Sequence, residues 1–352
     1  MIPKYKEVHK NFKLNNRYYN FSDLRVAAND RTEKGQDYEK AIGDFLREWT
    51  NDKDFIEVQT SGSTGAPKLL QLKKVAMVQS ALITGSFFGL KPSNKALHCL
   101  PTQFIAGKMM LVRALVLGLE IDIIEPKLIP IFNNNISYDL CAMIPVQLEN
   151  CYRNCQNIRN IIVGGAAVSN QLQSDIQKCS TNIYESYGMT ETITHIALRK
   201  LNGTNKSRFF YVLPNIQIEQ DDRKCLVIIA EHFSERKVVT NDLVKIHSST
   251  QFEWLGRYDN VINSGGIKLI PEQIEKKLAK KIEQRFFISS QPNSSFGESI
   301  ILILEGQSKS IDPIIFEDLD KYEIPKNIYF IPEFVETKSN KINRSETLKL
   351  VK

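Results

Sequence analysis

Between residues 55 and 184 one pattern recurs: a short apolar run, then a longer amphipathic one. The short runs are Phe55–Gln59, 96–100, 120–124, 140–144, Asn160–Val163 and 182–184. Between them lie 73–90, Ile105–Leu117 and stretches following Pro145 and Ser169. A brief apolar run between polar turns predicts a buried strand, and apolar residues recurring every three to four positions predict a helix. Their alternation predicts an α/β domain on a largely parallel sheet. Upstream, residues 37–49 place Tyr38, Ile42, Phe45, Leu46 and Trp49 on one helical face, as a helix covering that domain would.

From residue 193 to 254 the helical period disappears and short strand-like runs follow one another (209–213, 216–220, 226–230, 243–247), which predicts a β-rich subdomain. Beyond Leu255 come a Gly265-Gly266 turn, a helix starting at Pro271, strands near 286–289 and 300–304, and a helix after Asn343. The expected organisation is a large domain over 1–257, with mostly parallel sheets plus the β-rich part, and a small mobile α+β domain over 258–352.

With 42% hydrophobic and 24% charged residues, the 352-residue chain has ordinary globular composition. Its 46 Lys and Arg against 40 Asp and Glu give +6, spread rather than blocked, which argues against a nucleic-acid binder. Six scattered cysteines fit buried thiols in a reducing compartment. Only Cys151 and Cys155 lie close, and without a second pair they read as structural rather than as zinc ligands. The N-terminus has no signal-peptide core and no segment reaches the length of a membrane span, so a cytoplasmic protein, monomer or homodimer, is expected.

The strongest local signal is Thr60-Ser61-Gly62-Ser63-Thr64-Gly65-Ala66-Pro67-Lys68, between a strand and a helical run. Small residues let backbone N–H groups approach a polyphosphate, the hydroxyls add donors and Lys68 adds a cation. The spacing is not that of GxxxxGKS/T, which disfavours an ordinary P-loop NTPase. Four further segments stand out: Val163-Gly164-Gly165-Ala166-Ala167 after a strand, Tyr187-Gly188-Met189-Thr190-Glu191, Thr240-Asn241-Asp242, and Gly256-Arg257-Tyr258-Asp259. Near the C-terminus runs Ser339-Asn340-Lys341-Ile342-Asn343-Arg344. Each alone has an ordinary explanation: a tight turn, a helix cap, a surface ion pair, a basic tail. Their order along one chain is the informative feature.

Together these segments resemble the adenylate-forming superfamily of acyl-CoA synthetases, carrier-protein adenylation domains and luciferases. The resemblance implies that residues 60–65 and Lys68 grip the ATP phosphates and that Gly164, Gly165 and Ala166 lie against the purine. Tyr187, Gly188, Met189 and Thr190 would complete the nucleotide site, with Tyr187 facing adenine, Thr190 at the α-phosphate and Glu191 as a Mg²⁺ ligand. Asp242 would hold the ribose hydroxyls, Arg257 would reach ribose or phosphate, and Asp259 would be the hinge between domains. Lys341 would stabilise the charge that develops as a carboxylate meets the α-phosphate. After rotation about Asp259, Ser264, Gly265 and Gly266 would line the approach of the coenzyme A thiol. Asn241 and Asn340 stand where the family carries glycine.

Only about 60 residues precede the phosphate loop, fewer than most of the superfamily carries. Residues 100–110 with Arg113 are most similar to o-succinylbenzoate-CoA ligases of menaquinone biosynthesis, although Phe104 stands where many relatives have His. That likeness places Gln103, Phe104, Gly107, Lys108 and Arg113 in the acyl pocket, where Lys108 or Arg113 could meet a second carboxylate. The expected activity is therefore an ATP- and Mg²⁺-dependent acid-CoA ligase making acyl-AMP and then a thioester. A ligase for another aryl or fatty acid, or a non-catalytic nucleotide-binding relative, remains open from the sequence.

Overall fold

The computed structural model describes residues 4–59, 69–230, 237–295, 297–337 and 342–351. Near the N-terminus, a hairpin (Lys13–Leu14, Arg17–Tyr18) leads into helix α1 (Phe21–Lys34) and helix α2 (Asp37–Thr50). Asn20 caps α1: its side chain accepts from Asp23 N while Asp23 accepts from Asn20 N. The amphipathic face read from the sequence buries Ile42, Phe45, Leu46 and Trp49 of α2 to 2% exposure or less. At about 1.5–3 kcal/mol per large apolar side chain, this face anchors the helix on the core, while Asp37, Lys40, Asp44 and Arg47 stay exposed, as in a covering helix.

One mixed sheet of thirteen strands organises the rest of the first 257 residues. Its parallel half runs in the spatial order Lys13–Leu14, Glu120–Ile123, Lys95–His98, Leu140–Met143, Asn160–Val163 and Asn182–Gly188. From Asn182–Gly188 onward the sheet turns antiparallel, through His195–Lys200, Phe210–Val212, Gln251–Arg257, Val238–Ser248, Cys225–Ile229 and Gln217–Gln220. The β-rich stretch read from the sequence is thus an antiparallel continuation of the parallel sheet, not a separate sheet. Helices α3 (Lys74–Phe88) and α4 (Ile105–Leu117), both apolar on most sides, are buried in the large core. Leu69–Lys73, of which the sequence pattern had assigned only Lys73, and that to the helix, is a strand that pairs with Phe55–Gln59 as a hairpin flanking residues 60–68.

Residues 262–331 carry a second, five-stranded sheet. Strands Ile262–Ser264 and Ile267–Leu269 are joined through Gly265 and Gly266, whose φ values of 59° and 81° suit the two-residue turn that hairpin twist favours. Helix Pro271–Leu278 packs Ile274 and Leu278 with Ile288, Ile300 and Leu302 in a core of its own. Helix Arg344–Leu348 is tied to that helix by Arg344, which donates to Glu275 Oε2 at 2.8 Å.

Candidate functional site

Ligand sites in open α/β sheets form at the carboxyl ends of the strands. There, adjacent parallel strands end in Val163 and at Gly188, and Gly164 lies against Ser186 of the neighbouring strand. Ser186 donates from Oγ to the Val163 carbonyl at 3.0 Å and fixes the first segment, whose Gly165 and Ala166 are exposed. A Cβ at Gly188 would lie 2.3 Å from the Thr194 carbonyl oxygen, so only glycine lets the chain return this closely. Within that return, Thr190–Thr192 form a 3-10 turn that leaves Glu191 exposed.

Asp242 joins from the antiparallel half. It is 7% exposed, and it accepts from Tyr187 OH at 2.6 Å, Trp254 Nε1 at 3.2 Å and Arg257 Nη1 at 3.4 Å. The Tyr187 ring meets Phe252 edge-on at 5.1 Å, and burial, then the Asp242 charge, push its hydroxyl pKa well above the usual value. Arg257 also reaches Asp259 at 3.0 Å; burial alone would lower its pKa, and the two carboxylates more than offset that, holding it charged. Of the expected nucleotide residues, Tyr187, Asp242 and Arg257 are joined directly by hydrogen bonds, while Gly164, Gly165 and Ala166 follow one of two adjacent parallel strands and Gly188, Met189 and Thr190 lie at the end of the other. Thr60, Ser61, Gly62, Ser63, Thr64, Gly65, Lys68 and Lys341 lie outside the described residues. Glu191 is exposed and makes no ion pair among the described residues.

The acyl-pocket candidates separate. Gln103 and Phe104 are exposed at the start of α4, and Gly107 is buried. Lys108 has a partner: Glu48 lies 3.9 Å away and the Phe45 ring 5.2 Å away, both on α2. Five residues along a helix turn a side chain by about 140°, so Arg113 faces elsewhere. It is 2% exposed, and its one oxygen acceptor among the described residues is Thr194 Oγ1 at 3.1 Å. Among the described residues Nε has no partner and no carboxylate pairs with the guanidinium, and burial lowers its pKa to about 10. Sequence reasoning passed over His195, Thr84, Trp254 and Arg223. The first two are joined by a 3.3 Å contact that bridges 111 positions of sequence, which no local signal reports.

The fold and this surface define an adenylate-forming enzyme. The chain belongs to the AMP-binding enzyme family, which it matches over residues 23–225. It is 25% identical over 316 residues to the 2-succinylbenzoate–CoA ligase of Haemophilus influenzae, covering 82% of this chain and 68% of that one. The Bacillus subtilis ligase of the same name is 23% identical over 328 residues, covering 82% and 67%. Among solved structures, an acyl-CoA synthetase (AMP-forming)/AMP-acid ligase II-like protein from Dyadobacter fermentans is 34% identical. It aligns with a TM-score of 0.62 over 92% of this chain and 97% of its own. The Bacillus subtilis o-succinylbenzoate CoA synthetase, solved with its acyl-adenylate, shares the fold with a TM-score of 0.72 at 20% identity, over 84% of this chain and 69% of that one.

Proposed function

We propose that the chain is an AMP-forming acid-CoA ligase whose acid is a dicarboxylate of the 2-succinylbenzoate type. The observation that carries the acid is Arg113, a buried cation with no carboxylate partner among the described residues. A buried charge without an opposite charge is costly. Of its five N–H donors one goes to Thr194 Oγ1 and one, from Nη1 at 3.7 Å, to Met110 Sδ, and the remaining ones, Nε–H among them, suit a ligand carboxylate. Lys108, already beside Glu48, is the weaker candidate. The Haemophilus and Bacillus relatives named above are 2-succinylbenzoate–CoA ligases, which agrees with this reading.

In the first step a carboxylate oxygen of the acid attacks the α-phosphorus of ATP and pyrophosphate leaves. Thr190 and Arg257 border the place of that phosphorus, and Lys341 supplies the mobile ammonium. A magnesium ion at Glu191 would neutralise phosphate charge. Asp242 fixes the Tyr187 ring and the Arg257 fork, so the nucleotide meets a site that needs little rearrangement. In the second step the coenzyme A thiol, losing its proton, attacks the acyl carbon and AMP leaves. Rotation of residues 258–352 about Asp259 would withdraw Lys341 and bring Ser264, Gly265 and Gly266 to the thiol.

The experiment is pyrophosphate release with 2-succinylbenzoate, benzoate, a medium-chain fatty acid and amino acids, each with and without coenzyme A. The dicarboxylate should give the highest kcat/KM, with thioester formed only when coenzyme A is present. Release with none of the acids overturns the enzymatic reading.

A further inference from the structure

Arg113 is held from one side by a chain of hydrogen bonds with a single consistent direction. Arginine only donates, so Thr194 Oγ1 accepts from Nη2 at 3.1 Å and keeps its own hydrogen to give. His195 Nδ1 lies 3.3 Å from that hydroxyl and takes it. The ring proton therefore sits on Nε2, which faces Thr84 Oγ1 at 3.3 Å, and Thr84 in turn donates to the Ser80 carbonyl at 3.0 Å. This order of donors assigns the Nε2–H tautomer. Burial, and secondly the Arg113 charge, hold the imidazole pKa well below its usual value, so the ring stays neutral beside the cation.

The backbone bends to make this arrangement. Ile193, 1% exposed, has φ 66° and ψ −50°, a conformation that a β-branched residue adopts only under constraint. Directly after it, Thr194 and His195 turn toward α4 and α3. Strain of this kind concentrates at functional sites. A buried histidine that served packing alone would need neither the strained residue nor the arginine.

We propose that Thr194 and His195 are positioning residues for the acid: they fix the Arg113 guanidinium so that its remaining N–H groups, Nε–H among them, present a prepared fork to the second carboxylate of the substrate. The proposal rests on the dicarboxylate reading above and assigns the selectivity for that carboxylate to the segment following the nucleotide loop. Helix α4 supplies the charge, and residues 193–195 aim it.

The test compares 2-succinylbenzoate with 4-oxo-4-phenylbutanoate, the same acid without the ring carboxylate, by pyrophosphate release from the whole protein. Thr194→Val keeps the shape and removes the hydroxyl; it should raise KM for the dicarboxylate about tenfold, the effect of one lost hydrogen bond to a charged group. KM for the monoacid and for ATP should hold, kcat should change less than KM, and Thr194→Ser should restore the wild-type values. His195→Asn, read in the same assay, covers the case in which the valine variant fails to fold. Equal losses on both acids, or a KM for ATP that rises in step, would make the pair merely structural and overturn the proposal. A wild type without preference for the dicarboxylate sinks the dicarboxylate reading itself. A preference lost in Arg113→Gln but kept in Thr194→Val sinks the positioning role alone.

Discussion

The carboxamide nitrogen of Asn241 lies 3.0 and 3.1 Å from the two carboxylate oxygens of Asp259. Its oxygen accepts from Arg223 Nη1 at 2.8 Å, and Arg223 is itself held by Asp221 and lies 5.2 Å from the Tyr258 ring. The glycine that relatives carry here could make neither side-chain contact. In this chain, position 241 ties the carboxylate of Asp259, the proposed hinge, to the strand that also carries Asp242.

Asn241→Gly should therefore loosen the hinge. Asp259 is 43% exposed at its side chain, so the lost hydrogen bonds are discounted to about 1 kcal/mol. Amide hydrogen exchange at residues 258–261 should quicken about fivefold, with exchange in the central strands unchanged. Unaltered exchange in the hinge would show that Asn241 does not restrain it.

Asp242 carries three donors on one buried carboxylate, and an amide cannot replace it. Asp242→Asn has a single acceptor oxygen and would turn an N–H₂ group toward Tyr187, Trp254 or Arg257. Breaking a buried charge pair costs about 3–5 kcal/mol, less here because the Arg257 side chain is 32% exposed. ATP binding measured by calorimetry should weaken at least about tenfold. Wild-type affinity would remove Asp242 from the nucleotide site.

The parallel half of the sheet, the Gly265-Gly266 turn and the helix at Pro271 were legible in the sequence because each depends on local pattern. Helix α1 was not, since it buries only Leu24, Ala27 and Ala28 and shows little apolar periodicity. The strand Leu69–Lys73 was not either, because its alternation is weak and it runs straight into α3. At the site, the motif residues were legible one by one. Their mutual relations were not: Tyr187 and Asp242 meet across 55 positions and Arg113 and Thr194 across 81, distances that only the register of the sheet closes. Lys108 and Arg113 looked equivalent in sequence and differ because one faces Glu48 and the other does not.

His98 should make the fold acid-sensitive. It is 1% exposed with Nε2 3.0 Å from Thr102 Oγ1, Nδ1 has no partner, and burial lowers its pKa to about 4. An unfolded chain takes up the proton below about pH 6.5, while the native one resists until about 4. Stability is therefore intact above the first value and lost as pH falls toward the second, by an amount on the order of 3 kcal/mol. In His98→Leu, the fall of Tm between those values should be shallower than in the wild type. Parallel curves would mean the native ring takes up its proton as freely as the unfolded one.

Lys341 lies outside the described residues, which resume at Ile342. Arg344, three positions beyond Lys341, is fixed to Glu275 at 2.8 Å and lies 5.4 Å from the Phe287 ring. In the mechanism proposed above, one ammonium that enters for the adenylating step and leaves for the thiol step would matter to the first alone. Lys341→Ala should slow acyl-AMP formation by about 10²–10³-fold, the usual effect of removing one transition-state charge contact. Thioester formation from acyl-AMP made beforehand should stay within a few-fold of wild type. Single-turnover measurement of each half-reaction decides it: equal losses in both would mean that Lys341 holds the fold or the nucleotide rather than the developing charge, and that the two steps do not divide at the hinge.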